Sequence, residues 1–204
     1  MCASYQAKVS NDDLLRKYNA DLVYDRLPEK IRFFPNYLAP IVYEPERRVV
    51  ALMEWGLLPA TAKDKSLKKK YATFNARAEG LQTSRLFAPA FNQNQRCVLP
   101  ATSFYEYADR VGRKQLVEIG NGGEILSIAG LWQTSTLSSG EVLYTFTMIT
   151  TTPSPQIEAI HSRMPVILED SRIEEWLDPK RPSEKLTKLL LPTSLVLEIQ
   201  ERSK

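Results

Sequence analysis

The feature that most constrains this chain is a succession of short β-type segments between residues 41 and 151. Ile41–Tyr43, Val49–Trp55, Arg96–Leu99, Ser103–Tyr107, Gln115–Ile119, Glu124–Trp132 and Val142–Thr151 are rich in β-branched and aromatic residues, and Gly, Pro or Ser clusters separate them. No regular βα alternation, internal repeat or phosphate-cradling Gly-rich loop interrupts them. This texture predicts an α+β fold with a mostly antiparallel, curved or barrel-like β-sheet core and peripheral helices. Asn121-Gly122-Gly123 reads as the turn of a hairpin. Ser10–Tyr18 opens with a Ser/Asn cap and early acidic residues, a helix start. Further helices are expected at Arg85–Asn92, Pro155–Ile160, Ser171–Leu177 and Ser183–Leu190, with a closing strand at Leu195–Gln200.

With 204 residues, 43% of them hydrophobic, the chain can bury a proper core, and residues 1–204 are expected to form one domain. No apolar run approaches the roughly 20 residues of a membrane span, and the N-terminus lacks the apolar centre of a signal peptide. A soluble, intracellular, cytoplasmic protein is expected, associated with the nucleoid in a bacterium or the nucleus in a eukaryote. One histidine and two distant cysteines offer no metal-ligand spacing, so neither a metal nor a cofactor is expected. Cys97, in the apolar run Arg96-Cys97-Val98-Leu99-Pro100, reads as an inert core thiol. Net charge is +3, but five lysines (Lys63, Lys65, Lys68, Lys69 and Lys70) crowd the segment before Tyr71. That cluster is either a solvated loop or a landing zone for a phosphate backbone.

Three segments place polar residues inside apolar text: Phe74-Asn75-Ala76-Arg77-Ala78-Glu79, Ser103-Phe104-Tyr105-Glu106-Tyr107, and Ile160-His161-Ser162-Arg163-Met164-Pro165. By pattern alone each has an ordinary reading. Asn75 fits a turn, Arg77 and Glu79 a surface ion pair, Glu106 the solvent side of a strand, and His161 a structural histidine.

Taken in order, however, the motifs are specific. Met1-Cys2, Trp55-Gly56-Leu57-Leu58-Pro59, Asn75-Ala76-Arg77-Ala78-Glu79, Arg96-Cys97-Val98-Leu99-Pro100, Phe104-Tyr105-Glu106, Ile128-Ala129-Gly130-Leu131-Trp132 and Ile160–Pro165 follow one another along the chain. The series resembles the SOS response-associated peptidase (SRAP) family from Cys2 to about Leu168, leaving 169–204 as C-terminal helices and the closing strand. The resemblance implies covalent capture of abasic sites in single-stranded DNA, with Cys2 as nucleophile and Asn75, Glu106 and His161 around it. It also implies phosphate contacts by Arg77 and Arg163, with which Arg85, Lys68, Lys69 and Lys70 are grouped as DNA-binding residues. The implied partner is single-stranded DNA bearing an abasic site, met by a monomer without membrane or metal. A peptidase acting in trans through Cys2 and His161, and a non-catalytic reader of single-stranded DNA, remain as alternatives. The chain departs from the family's usual residues at Ala3 and Ser4, where Gly-Arg is common, and more mildly at Gly80, Ser103 and Tyr107.

The implied chemistry suits an N-terminal cysteine. An abasic sugar opens to an aldehyde, which an amine attacks only when unprotonated. At pH 7 roughly a tenth of an α-amine is neutral, against well under a thousandth of a lysine amine. The thiol of the same residue then closes a five-membered thiazolidine, helped by proximity. Met1 must therefore leave, by self-cleavage or through an aminopeptidase.

Overall fold

The computed structural model describes residues 2–24, 31–44, 46–110 and 112–202. Met1, whose removal is expected, lies outside these residues. In chain order the strands are β1 (Ser4–Gln6), β2 (Asp21–Leu22), β3 (Arg32–Phe33), β4 (Leu38–Tyr43), β5 (Val49–Trp55), β6 (Asn75–Arg77), β7 (Arg96–Ala101), β8 (Ser103–Arg110), β9 (Arg113–Gly120), β10 (Leu126–Thr136), β11 (Val142–Thr151), β12 (Met164–Pro165), β13 (Ile167–Leu168) and β14 (Glu198–Arg202). The α-helices are α1 (Asn11–Tyr18), α2 (Ser66–Lys70), α3 (Ala88–Asn92) and α4 (Asp170–Leu177), with short 3₁₀ turns at Ala78–Gly80 and Ser183–Leu189.

The fold is mixed α+β and mostly antiparallel, as expected. Strands β11, β10, β7, β4 and β5 pair in that order, and a parallel contact of β5 with β11 (Trp55 opposite Phe146) closes them into a ring. A second sheet runs in the order β14-β9-β8-β1-β3. Period-2 alternation divides the barrel strands between two cores. Ile41, Met53, Trp55, Cys97, Leu99, Phe146 and Met148 join Tyr5, Phe33 and Phe104 of the second sheet in one. Val42, Val50, Val98, Leu131 and Ile149 meet Leu14, Tyr18, Phe91 and Trp176 of the helices in the other. Trp55 and Phe146 stack with centroids 6.2 Å apart, and Tyr5 meets Trp55 edge-on at 5.2 Å.

Helix α1 follows its capping signal: the Ser10 hydroxyl accepts from the Asp13 N–H, and the Asp13 carboxylate accepts from the Ser10 N–H. Helix α4 also falls where expected. The 85–92 helix is shorter, beginning at Ala88, and 183–189 is 3₁₀. Residues 155–160, expected to be helical, form successive turns between Pro153 and the strand at Met164. The closing strand starts at Glu198 rather than Leu195, since Leu195 and Leu197 instead hold Gln156 through their backbones.

The Asn121–Gly123 turn is not a hairpin. Its flanking strands belong to different sheets, β9 pairing with β8 and β14 while β10 pairs with β7, β11 and β13. Gly122 and Gly123 do adopt positive φ (62° and 87°), so the turn chemistry was read correctly and the pairing was not. Two hairpins instead carry the glycines at positive φ: β8 to β9 across Gly112, and β10 to β11 through Gly140. Among the described residues no helix is long and apolar enough to cross a membrane.

Candidate active site

Strand β1 brings Cys2 into the molecule. It lies between β3 and β8, with Ser4 opposite Tyr105 and Tyr5 opposite Phe104. Cys2 is consequently 1% exposed, a core residue rather than a loose end. Its Sγ–H donates to the Ser4 carbonyl at 3.3 Å. Burial pushes the thiol up to about 12, and the nearby Glu106 carboxylate adds to the effect.

Asn75 opens β6, which pairs in parallel with β11 and lies beside the 3₁₀ turn at Ala78. Two bonds fix the backbone just before it: the Trp55 indole N–H donates to the Phe74 carbonyl at 2.7 Å, and the Met148 N–H donates to the same carbonyl at 3.0 Å. From this position the Asn75 Nδ2 donates to the Cys2 carbonyl at 2.7 Å. Its Oδ1 is buried and carries no hydrogen bond within the described structure.

Glu106 lies on β8, 4% exposed, so the solvent-facing reading of its strand position is overturned. Burial raises its carboxyl to about 7. His161 follows the turns at 155–160, and its Nε2 stands 3.8 Å from the Glu106 carboxylate. His161 Nδ1 faces the Arg163 backbone, 3.0 Å from its N–H and 3.1 Å from its carbonyl oxygen, the tautomer setting which of the two it bonds, and Nε2 is turned toward Glu106. Burial lowers the imidazole below its ordinary value. Four polar groups from four distant segments thus converge.

The basic residues are disposed differently. Arg163 makes a two-pronged pair with Glu79 (2.8 and 2.9 Å) and donates to the Thr150 carbonyl at 2.7 Å. Glu79, which the sequence suggested as a partner of Arg77, is thus held by Arg163. Lys68 ion-pairs with Glu54, its side chain 7% exposed. Of the lysine run, Lys68, Lys69 and Lys70 lie in the short helix α2, whereas Lys63 and Lys65 are in the loop before it. Arg77, Arg85, Lys69 and Lys70 are exposed. Sequence reasoning missed Trp55 as the anchor of Asn75, although it had singled out the Trp55-Gly56 motif. It also missed Arg32, whose guanidinium donates to the Ser4 hydroxyl at 3.1 Å and which no motif marks. Among the described residues no group of three or more His, Cys, Asp or Glu is placed to hold a metal ion.

The profile of the family described as SOS response associated peptidase (SRAP) matches residues 1–202. The abasic site processing protein YobE of Bacillus subtilis (strain 168) is 35% identical over 203 residues, covering 94% of this chain and 89% of that protein. The abasic site processing protein HMCES of Gallus gallus is 32% identical over 174 residues, covering 73% of this chain and 51% of that one. A crystal structure from Bordetella bronchiseptica superposes with TM-score 0.88 at 27% identity, covering 100% of both chains. One from Bacteroides thetaiotaomicron has the same TM-score at 22% identity, covering 98% and 91%, and shows the shared fold. This chain belongs to the SOS response associated peptidase (SRAP) family.

Proposed function

We propose that the chain, freed of Met1, captures abasic sites in single-stranded DNA covalently through Cys2. The observation that carries this reading is the placement of Cys2. Its carbonyl is held by the neutral amide of Asn75, while burial, and after it the Glu106 carboxylate, raises its thiol. The relatives named as abasic site processing proteins support it.

The chemistry balances without an oxidant or metal. The α-amine of Cys2 adds to the aldehyde carbon, Glu106 in its acid form protonates the resulting hydroxyl, which leaves as water, and the Glu106 carboxylate takes back the proton of the iminium nitrogen to leave an imine. The Cys2 S–H then adds across the imine. A C–S bond forms, the thiol proton passes to nitrogen by way of Glu106, and the thiazolidine closes. One water is lost overall. Asn75 orients the nucleophile without a charge that would raise the amine's pKa. His161 donates from Nε2 to the sugar ring oxygen as it opens. Arg77, Arg85, Lys69 and Lys70 meet phosphates directly, whereas at Arg163 and Lys68 a phosphate competes with Glu79 and Glu54.

A thiol peptidase acting in trans is less well supported, because a thiolate nucleophile needs a lowered pKa and burial here raises it. The test mixes the mature protein with single-stranded DNA carrying one abasic site, followed by a denaturing gel and mass spectrometry. A heat-resistant adduct with the mass of DNA plus protein minus one water is expected, absent for Cys2→Ala and for N-terminally blocked protein. Formation of the same adduct by Cys2→Ala would refute the proposal, and purely reversible, salt-sensitive binding would leave only a DNA reader.

A further inference from the structure

Arg32 is a half-buried cation without a counter-charge among the described residues. Other half-buried arginines have carboxylates: Arg48 pairs with Glu44 and Glu174, and Arg163 with Glu79. Arg32 forms no ion pair among the described residues, and its only hydrogen bond is from Nη2 to the neutral Ser4 hydroxyl. Its Nε is buried with no partner. Its Nη1 is neither buried nor bonded, leaving donors available. One face of the guanidinium covers the Tyr105 ring, 3.8 Å from its centroid, and Phe34 lies at 5.2 Å.

The surroundings are aromatic and open. Phe34 is 39% exposed, and Tyr107, on the same face of β8 as Tyr105, is 54% exposed. Ser4 pairs with Tyr105, two residues before Tyr107 on β8. Ser4, which Arg32 holds, is two residues from Cys2, whose Sγ–H donates to the Ser4 carbonyl. An uncompensated guanidinium with exposed rings beside it is the combination that holds a single strand, the fork gripping a phosphate and the rings taking bases.

We propose that Arg32 binds a phosphodiester of single-stranded DNA next to the captured sugar, with Phe34 and Tyr107 as stacking surfaces for the neighbouring bases. This deepens the covalent-capture reading and rests on it for the position of the sugar. Arg32 acts in binding and touches no reacting atom.

The test measures fluorescence anisotropy of labelled oligothymidylate, with no abasic site, over a salt series. Wild type, Arg32→Ala, Arg32→Lys and Tyr107→Ala are compared, with thermal midpoints as fold control. Arg32→Ala should weaken binding about tenfold and reduce the log–log salt slope by about 0.7, the value for one phosphate on a single strand. Arg32→Lys should recover the slope but only part of the affinity. Tyr107→Ala should weaken binding roughly fivefold or more at unchanged slope. Wild-type affinity and slope in both Arg32 variants overturn the proposal. If alanine unfolds the protein, the lysine variant decides: wild-type affinity there refutes a role for the fork and stack. An Arg32-dependent slope in a protein that forms no abasic adduct sinks the covalent reading and spares this one. Adduct formation with unchanged binding in Arg32→Ala does the reverse.

Discussion

Replacing Glu106 with glutamine tests the electrostatics of the site without touching DNA. The folded protein holds this carboxyl at about 7 against 4.5 in an unfolded chain, through burial. Between those values the folded state binds more protons than the unfolded state, so stability falls as pH rises through this window. The displacement from 4.5 to about 7 corresponds to about 3 kcal/mol, absent below the lower value and fully felt above the upper one. Glutamine keeps the volume and cannot ionise. Relative to wild type, Glu106→Gln should therefore gain about 2.5 kcal/mol of unfolding free energy between about pH 5 and about pH 8.5, the rest of the penalty being already present at pH 5. Urea denaturation at both pH values, read by linear extrapolation, measures the gap. A gap that stays constant within about 0.5 kcal/mol would show that Glu106 is not desolvated as described, and its assignment as a proton shuttle near neutrality would fall with it.

Other consequences follow from single contacts. Asn75→Ala strands the buried Cys2 carbonyl that its Nδ2 now satisfies at 2.7 Å, an unmade bond costing about 1–3 kcal/mol. Single-turnover adduct formation should slow by about 5- to 150-fold, and Asn75→Asp, whose carboxylate cannot donate to a carbonyl, should not restore it; an unchanged rate removes Asn75 from the positioning role. Gly130→Ala should destabilise the barrel by about 1–3 kcal/mol or more in a thermal melt, because a Cβ there would stand 2.5 Å from Leu99 Cδ1 and 2.7 Å from the Thr147 carbonyl oxygen. A melting temperature equal to that of wild type would show the strands at Cys97 and Met148 to be looser than described.

Much of the fold was legible because its signals are local. The Ser10 cap and the acidic first turn of α1 act within one turn of chain, and the alternation in β5, β7 and β11 matches the two cores on either side of the barrel. What failed was long-range. Asn121–Gly123 has the right residues for a reversal, but which strands flank a turn as partners depends on the other strands competing for their edges. Short β1 and β3, with three and two residues, carry too little pattern to be seen alone.

The candidate site divides in the same way. The ordered motifs were enough to single out Cys2, Asn75, Glu106 and His161, because residue types at characteristic places along the chain are a one-dimensional signal. Only the tertiary structure decided that they meet, since 73 residues separate Cys2 from Asn75 and the strand pairings that close this distance are long-range contacts. It also decided the state of each group: burial, which no local pattern encodes, moved Glu106 from an expected solvent face into the interior and lifted its carboxyl to about 7. The same holds for the basic residues. Sequence establishes that Arg163, Lys68 and Arg32 are cations, but carboxylate neighbours distant in the chain or close in the fold determine which charges are compensated, and Arg32 has none among the described residues.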